Sequence, residues 1–180
     1  MNDVPGLPVR RAALRICDAV LRRGETLDQA AGAALQAVRD PADRALARAV
    51  SAEAFRWQVD LDALVDSATR QPLPEDAKAR AVLRLMLAQW LRLDTPPHAV
   101  IATALPLLAG GPRRLAHGVF STLVKRAVRL PLVPSLPEDV AARWGARAGA
   151  IAGGLAVPPP LDLTLRDAGE TEGWSARLGA

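Results

Sequence analysis

Glu75-Asp76-Ala77-Lys78-Ala79-Arg80-Ala81-Val82-Leu83-Arg84-Leu85-Met86-Leu87-Ala88-Gln89-Trp90-Leu91-Arg92-Leu93-Asp94 is the stretch that decides the fold. Laid on a helix at about 100° per residue, Val82, Leu83, Leu85, Met86, Leu87, Trp90 and Leu91 cover almost the whole circumference. Only Arg84 and Gln89 break the centre of that run. A helix apolar nearly all round is one that other helices surround. A strand does not run this long without a turn signal, and a membrane span needs about 20 apolar residues with few or no charges. Residues 75–94 therefore form the central buried helix of an all-α bundle. Arg84 needs a partner in that setting, and an acid from residues 40–66 is the natural candidate. Losing it would destabilise a truly buried pair by roughly 3–5 kcal/mol.

A chain of 180 residues accommodates one domain and the beginning of a second. Half the residues are hydrophobic, but there are only four Trp, two Phe and no Tyr. The core must be built from Leu, Val and Ala, which suits close-packed helices. Cys17 is the single cysteine, so it has neither a disulfide partner nor a companion for a metal site. No apolar segment follows the first arginines as a signal peptide requires, which makes the cytoplasm the expected compartment and membrane association unexpected.

Charge is unevenly distributed. Residues 1–23 hold five Arg against two Asp, and residues 95–137 hold five basic residues and no acid. The intervening and final segments are each slightly acidic. Two separated basic segments are thus available to a polyanion, and packing both against the central helix would bring them onto one surface.

The first helix runs over about residues 8–23, with Val9, Ala12, Ala13, Ile16, Cys17, Val20 and Leu21 on its buried face. Arg11, Arg15 and Arg22 fall on the opposite side. Thr26 and Gln29 form a capping box that opens a second helix to about Val38. Asp40-Pro41 opens a third toward Trp57, and a helical period continues to Thr69, with one bent helix and two separate ones both open. Asp94-Thr95-Pro96-Pro97 starts the next helix, through roughly Leu108, whose last turn Pro106 should kink or shorten. Gly110-Gly111-Pro112 reads as a turn before a helix over about residues 112–129, with Arg114, Lys125 and Arg129 aligned on its wet face. A single further helix is expected over about 137–152, stopped by Gly153-Gly154. Val157-Pro158-Pro159-Pro160 reads as a stiff linker, and Leu161-Asp162-Leu163-Thr164-Leu165-Arg166 alternates with period two as a strand would. The chain thus looks cut off at the start of an α/β segment. The expected division is a domain at 1–130, a connecting helix and linker at 131–156, and the start of a second domain at 157–180.

Catalytic groupings are missing. His98 and His117 have no ligand or carboxylate at metal-site spacing, and each fits a capping or packing role. Cys17 lies on an apolar stripe, where an inert hydrophobe is expected. Gly110-Gly111 and Gly153-Gly154 follow no strand, so neither is a phosphate loop. Asp60, Asp62 and Asp66 read as a solvated acidic face. The arginines remain, and their planar forks suit phosphate. The basic faces lack interleaved aromatics, which favours backbone contact with RNA over base stacking.

Asp43-Arg44, Ala54-Phe55-Arg56, Leu61 with Leu64, the run Leu83–Leu91 and Pro97-His98-Ala99-Val100 together resemble the NusB-type all-α domain. That domain occurs alone in antitermination factor NusB. It also forms an N-terminal extension in the bacterial 16S rRNA cytosine-5 methyltransferases of the RsmB (Sun/Fmu) family. Gly118-Val119-Phe120-Ser121-Thr122-Leu123-Val124-Lys125-Arg126 is similar to the latter family's Gly-x-x-Asn-x-x-Leu-Arg segment, with Ser121 in place of Asn and Lys125 in place of Arg. The run from Pro137 through Trp144-Gly145 to Arg166 resembles that family's passage into its central RNA-binding domain.

The resemblance implies an RNA-binding accessory domain that positions 16S rRNA for a catalytic domain C-terminal to it. S-adenosylmethionine and the two catalytic cysteines would belong to that domain, and no cofactor, metal or catalytic residue is expected within these 180 residues. The expected RNA contacts are Arg10, Arg11, Arg15, Arg22, Arg114, Lys125, Arg126 and Arg129, with the chain's own catalytic domain as second partner and no DNA. The alternatives are a NusB-like antitermination adaptor that docks on protein, and a brace for the catalytic domain that touches no RNA.

Overall fold

Every residue from Val82 to Gln89 is buried in the computed structural model, which describes residues 5–157 and 163–178. The helix that holds them, α5 (Lys78–Arg92), is about 22 Å long at 1.5 Å per residue. It begins later than its sequence pattern suggests, because Pro74-Glu75-Asp76-Ala77 folds as a turn closed by Ala77 N–H donating to Pro74 O (3.0 Å). Around α5 pack α1 (Leu7–Arg23), α3 (Pro41–Arg56), α4 (Gln58–Ser67), α6 (Pro97–Ala104) and α7 (Gly110–Lys125). The remaining early helix, α2 (Leu27–Ala34), lies against α1. The described residues contain helices, turns and irregular segments but no strand.

The bundle has two apolar layers. One surrounds α5 with Trp57, Leu61, Val65, Val100, Leu105, Phe120 and Leu123. In it the Trp90 and Phe120 rings meet edge to face at 5.7 Å. The other joins α1 to α2 through small residues, with Val9, Ala12, Ile16 and Ala19 against Ala30, Ala31, Ala34 and Leu35. Alanines on both helices let the backbones approach closely, so α1 carries an apolar stripe on two sides. Thr26 and Gln29 form the capping box the sequence announces.

Several element ends differ from expectation for identifiable reasons. The stretch 41–67 is two helices, broken at Trp57, which is buried with the Arg92 guanidinium 4.8 Å from its ring centre. Pro106 turns the end of α6 into a 3-10 turn, Leu105–Leu107. Gly110-Gly111-Pro112 is the first turn of α7 rather than a separate loop, since a first-turn proline forfeits no helical hydrogen bond. At its other end α7 stops at Lys125, because Ala127 turns left-handed (φ 49°) and Val128 and Leu130 fold back onto the core. Leu35–Ala37 forms a turn rather than extending α2 to Val38.

Beyond α7, Ser135 donates through its backbone N–H and its hydroxyl to Asp60, at 2.8 and 2.7 Å. Two helices then replace the single one expected: α8 (Glu138–Trp144) and α9 (Ala148–Leu155), split by a 3-10 turn at Gly145, which takes φ 51°. Gly153 and Gly154 lie inside α9 rather than stopping it. Leu163–Leu165 is irregular, since a lone strand has no ladder to join. The expected start of an α/β segment is corrected to that extent; Pro158-Pro159-Pro160 and Leu161-Asp162 lie outside the described residues. A last helix, α10 (Thr171–Leu178), follows. No helix of the described residues is long and apolar enough to cross a membrane.

Cys17 lies on α1 where it faces α5, and burial pushes its thiol up from 9.0 to about 12. The unfolded thiol ionises first as pH rises, so stability should fall from pH 9 upward, by up to about 1.4 kcal/mol per unit. Urea unfolding at pH 8 and pH 10 should therefore show a larger loss for the wild type than for Cys17→Ala. Equal losses would mean that the thiol is not held in its neutral form.

Candidate nucleic-acid interface

The charged residues of the bundle divide into those consumed by the fold and those left in solvent. Arg84 holds Asp62 by a two-pronged pair, Nε to Oδ1 and Nη2 to Oδ2, each 2.6 Å. This is the acid expected from residues 40–66. Arg80 approaches the same carboxylate at 3.1 Å, and also holds Asp66 (2.6 Å) and the Leu73 carbonyl. Burial lowers the Arg80 pKa, but the Asp66 and Asp62 hydrogen bonds outweigh it and raise the value overall. The aspartates of α4 are thus not a solvated face. Asp62 and Asp66 clamp α4 to α5, and Asp60 anchors Ser135. A second cluster places Glu53 between Arg56 and Arg92, the latter at 3.0 Å.

Arg10 also belongs to the fold. Its side chain is buried and its Nε donates to Gln89 Oε1 at 2.7 Å. Burial lowers its pKa, against the opposing pull of Asp43. It is therefore withdrawn from the expected RNA contacts: it turns inward to satisfy the buried Gln89 amide in the middle of the core.

The opposite face of α1 points outward. Arg11 and Arg15 are exposed and line a shallow groove with Pro8, Ala12, Ala34, Ala37 and Val38. Arg15 also borders an adjoining groove with Asp18, Arg22, Arg23 and Lys78, lined further by Leu14, Ala30, Ala33 and Ala81. Among the described residues, the ion pairs on α1 fall to Arg22, with Asp18 at 2.9 Å, and to Arg23, with Glu25 at 2.7 Å. Arg22 in addition donates to the Asp76 carbonyl. Arg11 and Arg15 keep their guanidinium groups in solvent. Arg23 and Lys78 were not anticipated here. Lys78 is 55 or more residues from these arginines in sequence, and helical periodicity carries no sign of which helix ends meet.

The second basic segment does not join this surface as one row. Arg114 and Lys125 are exposed on α7. Arg126 caps α4 by donating to the Ser67 carbonyl (3.0 Å). Arg129 lies past the end of α7, so it is not aligned with Arg114 and Lys125 on one helix face. It borders a different groove with Trp90, Arg92, Asp94 and Leu132. The grooves lined by the α1 arginines and by Arg129 share no residue.

Comparison with known proteins matches the NusB family to residues 7–109, from the first residue of α1 to the residue before α7. Three curated proteins are similar over most of the chain. Ribosomal RNA small subunit methyltransferase B of Xanthomonas campestris pv. campestris is 33% identical over 156 residues, covering 81% of this chain and 36% of the relative. The protein of the same name from one strain of Xylella fastidiosa is 30% identical over 177 residues, covering 92% of this chain and 40% of the relative. Its counterpart in another strain is 30% identical over 165 residues, covering 85% and 39%. The chain thus spans well under half the length of these relatives. No solved structure matches it.

Proposed function

The chain belongs to the NusB family, and from that premise we propose that it is the RNA-binding domain of a ribosomal RNA methyltransferase. Its role is to hold 16S rRNA against a catalytic domain that supplies S-adenosylmethionine and the cysteines for methylation at cytosine C5. The observation that carries this is the outward face of α1, where Arg11 and Arg15 stand beside a groove of small residues with no ion-pair partner among the described residues. An arginine that a fold needs is buried against an acid or amide, as Arg10, Arg80 and Arg84 are. Arg11 and Arg15 have no such use, and their planar donors fit phosphate oxygens.

The catalytic domain is the second proposed partner. Among the described residues, six of the nine exposed aliphatic side chains, Leu132, Val133, Leu155, Val157, Leu163 and Leu178, follow α7, the other three being Leu21, Leu27 and Leu115. That concentration on one end of the chain supports a contact with the rest of a longer protein. Such a protein would work in the cytoplasm, beside the ribosomal RNA it modifies.

RNA affinity measured across salt concentration tests the phosphate contacts. Each contact contributes about −0.7 to −0.9 to the slope of log K against log salt. Arg11→Glu with Arg15→Glu should therefore flatten the slope by about 1.5 and weaken binding at least about tenfold at low salt. Arg70→Glu, at an exposed position beyond α4, should leave both unchanged. A flat salt response in the wild type, or no binding at low salt, would sink the proposal.

A further inference from the structure

Two of the four tryptophans sit in a Trp-x-Ala-Arg unit, Trp144-Gly145-Ala146-Arg147 and Trp174-Ser175-Ala176-Arg177, 30 residues apart. The local conformations differ: Trp144 ends α8 and Arg147 follows the Gly145 kink, whereas Trp174 and Arg177 share α10. Both nevertheless bring the guanidinium over the indole, at 5.2 and 5.3 Å from the ring centre. In the second pair the indole N–H also donates to Glu170 (3.4 Å).

The chemistry matches that of Trp57 and Arg92, at 4.8 Å, but the setting is opposite. Trp57 is 1% exposed and belongs to the core, while Trp144 and Trp174 are 40% and 38% exposed. A solvent-exposed pair of this kind adds little to folding. What it does is hold a large aromatic ring in a fixed orientation at the surface beside a cation. That is the platform on which an unpaired nucleic-acid base stacks, because every base offers a π face.

We propose that the Trp144–Arg147 and Trp174–Arg177 pairs bind unpaired RNA by stacking its bases. This rests on the RNA-binding role proposed above and adds a second mode to it. The α1 arginines meet phosphate, whereas residues 138–180 hold four Arg against six acids and have no net attraction for a phosphate backbone. Contact at the tryptophans is therefore through base faces, which single strands expose and duplexes keep stacked inside.

The full chain is titrated with oligo(A) RNA and with a duplex of the same length, following affinity and tryptophan emission. Oligo(A) should quench the emission. Trp144→Ala combined with Trp174→Ala should weaken oligo(A) binding about tenfold or more, while leaving duplex affinity and the salt slope unchanged. Phe at both positions should recover most of the loss. Far-UV circular dichroism of each variant should match the wild type, since neither ring lies in the core. Oligo(A) binding unaffected by the double alanine variant would overturn the inference. So would an emission change driven by protein concentration alone, the mark of a protein contact. In either case, duplex binding that still depends on Arg11 and Arg15 would leave the phosphate-binding role standing. Failure to bind either RNA at low salt would remove both.

Discussion

Asp62→Ala is expected to destabilise the protein by about 3–5 kcal/mol, the range for removing one partner of a buried ion pair. Asp62 is the only carboxylate that Arg84 holds among the described residues, and the Arg84 side chain is 8% exposed. Truncating Asp62 leaves that largely buried guanidinium without the carboxylate it holds. Arg80 fares better, because it retains Asp66 and the Leu73 carbonyl. At roughly 2–4 °C per kcal/mol for a chain of this size, the melting temperature should drop by about 6–20 °C. Arg84→Met in the same background should restore most of the loss, since an apolar side chain of similar length needs no counter-charge. A double-mutant cycle by urea unfolding separates the coupling from the deletion of either group. A loss below about 1 kcal/mol for Asp62→Ala would show that the Arg84–Asp62 pair does not hold α4 to α5.

The need for this pair was legible in the sequence, but its full extent was not. An arginine in the middle of an all-round apolar helix demands a counter-charge wherever it lands. The converse inference does not run: Asp60, Asp62 and Asp66 carry no local mark that they are spoken for, since helical spacing alone leaves them on a polar face. Their engagement depends on α4 lying across α5 and on the 131–137 segment returning to Asp60, contacts made over 22 and 75 residues of sequence. The same limit applies to the candidate interface. The spacing of Arg11 and Arg15 along α1 put both in solvent, where the structure has them. It could not show that Arg126 would cap α4 or that Lys78 would border the groove of Arg15. Nor could helical periodicity stop α7 at Lys125, because that end is set by the return of Val128 and Leu130 to the core. Ala127 accepts a left-handed backbone there without being glycine.

Arg10 carries the second large expectation, and it divides the arginines of α1 sharply. Its signal was present in the sequence, since Arg10 stands three residues before Ala13 and seven before Cys17, on the stripe that faces the core. Gln89 is the matching signal on α5: an amide with 0% exposure whose Nε2 donates to Leu85 O (2.9 Å) and whose Oε1 accepts from Arg10. Arg10→Ala leaves that oxygen unpaired and empties the space of the arginine stem, for an expected loss of about 2–4 kcal/mol. Gln89→Leu should cost a similar amount by removing the acceptor of a buried cation, and the two changes together should cost less than their sum. Arg11→Ala, one residue away and exposed, should change stability by less than about 0.5 kcal/mol. RNA affinity should sort the two residues the other way, with Arg11→Ala weakening binding. Arg10→Met, which keeps the stem and removes the charge, should leave the affinity of the folded protein unchanged. Unfolding curves and RNA titrations of the same variants check both halves. If Arg10→Met weakened RNA binding as much as Arg11→Ala while remaining folded, Arg10 would have to leave Gln89 and reach the surface, and its place in the core would not be the one that matters.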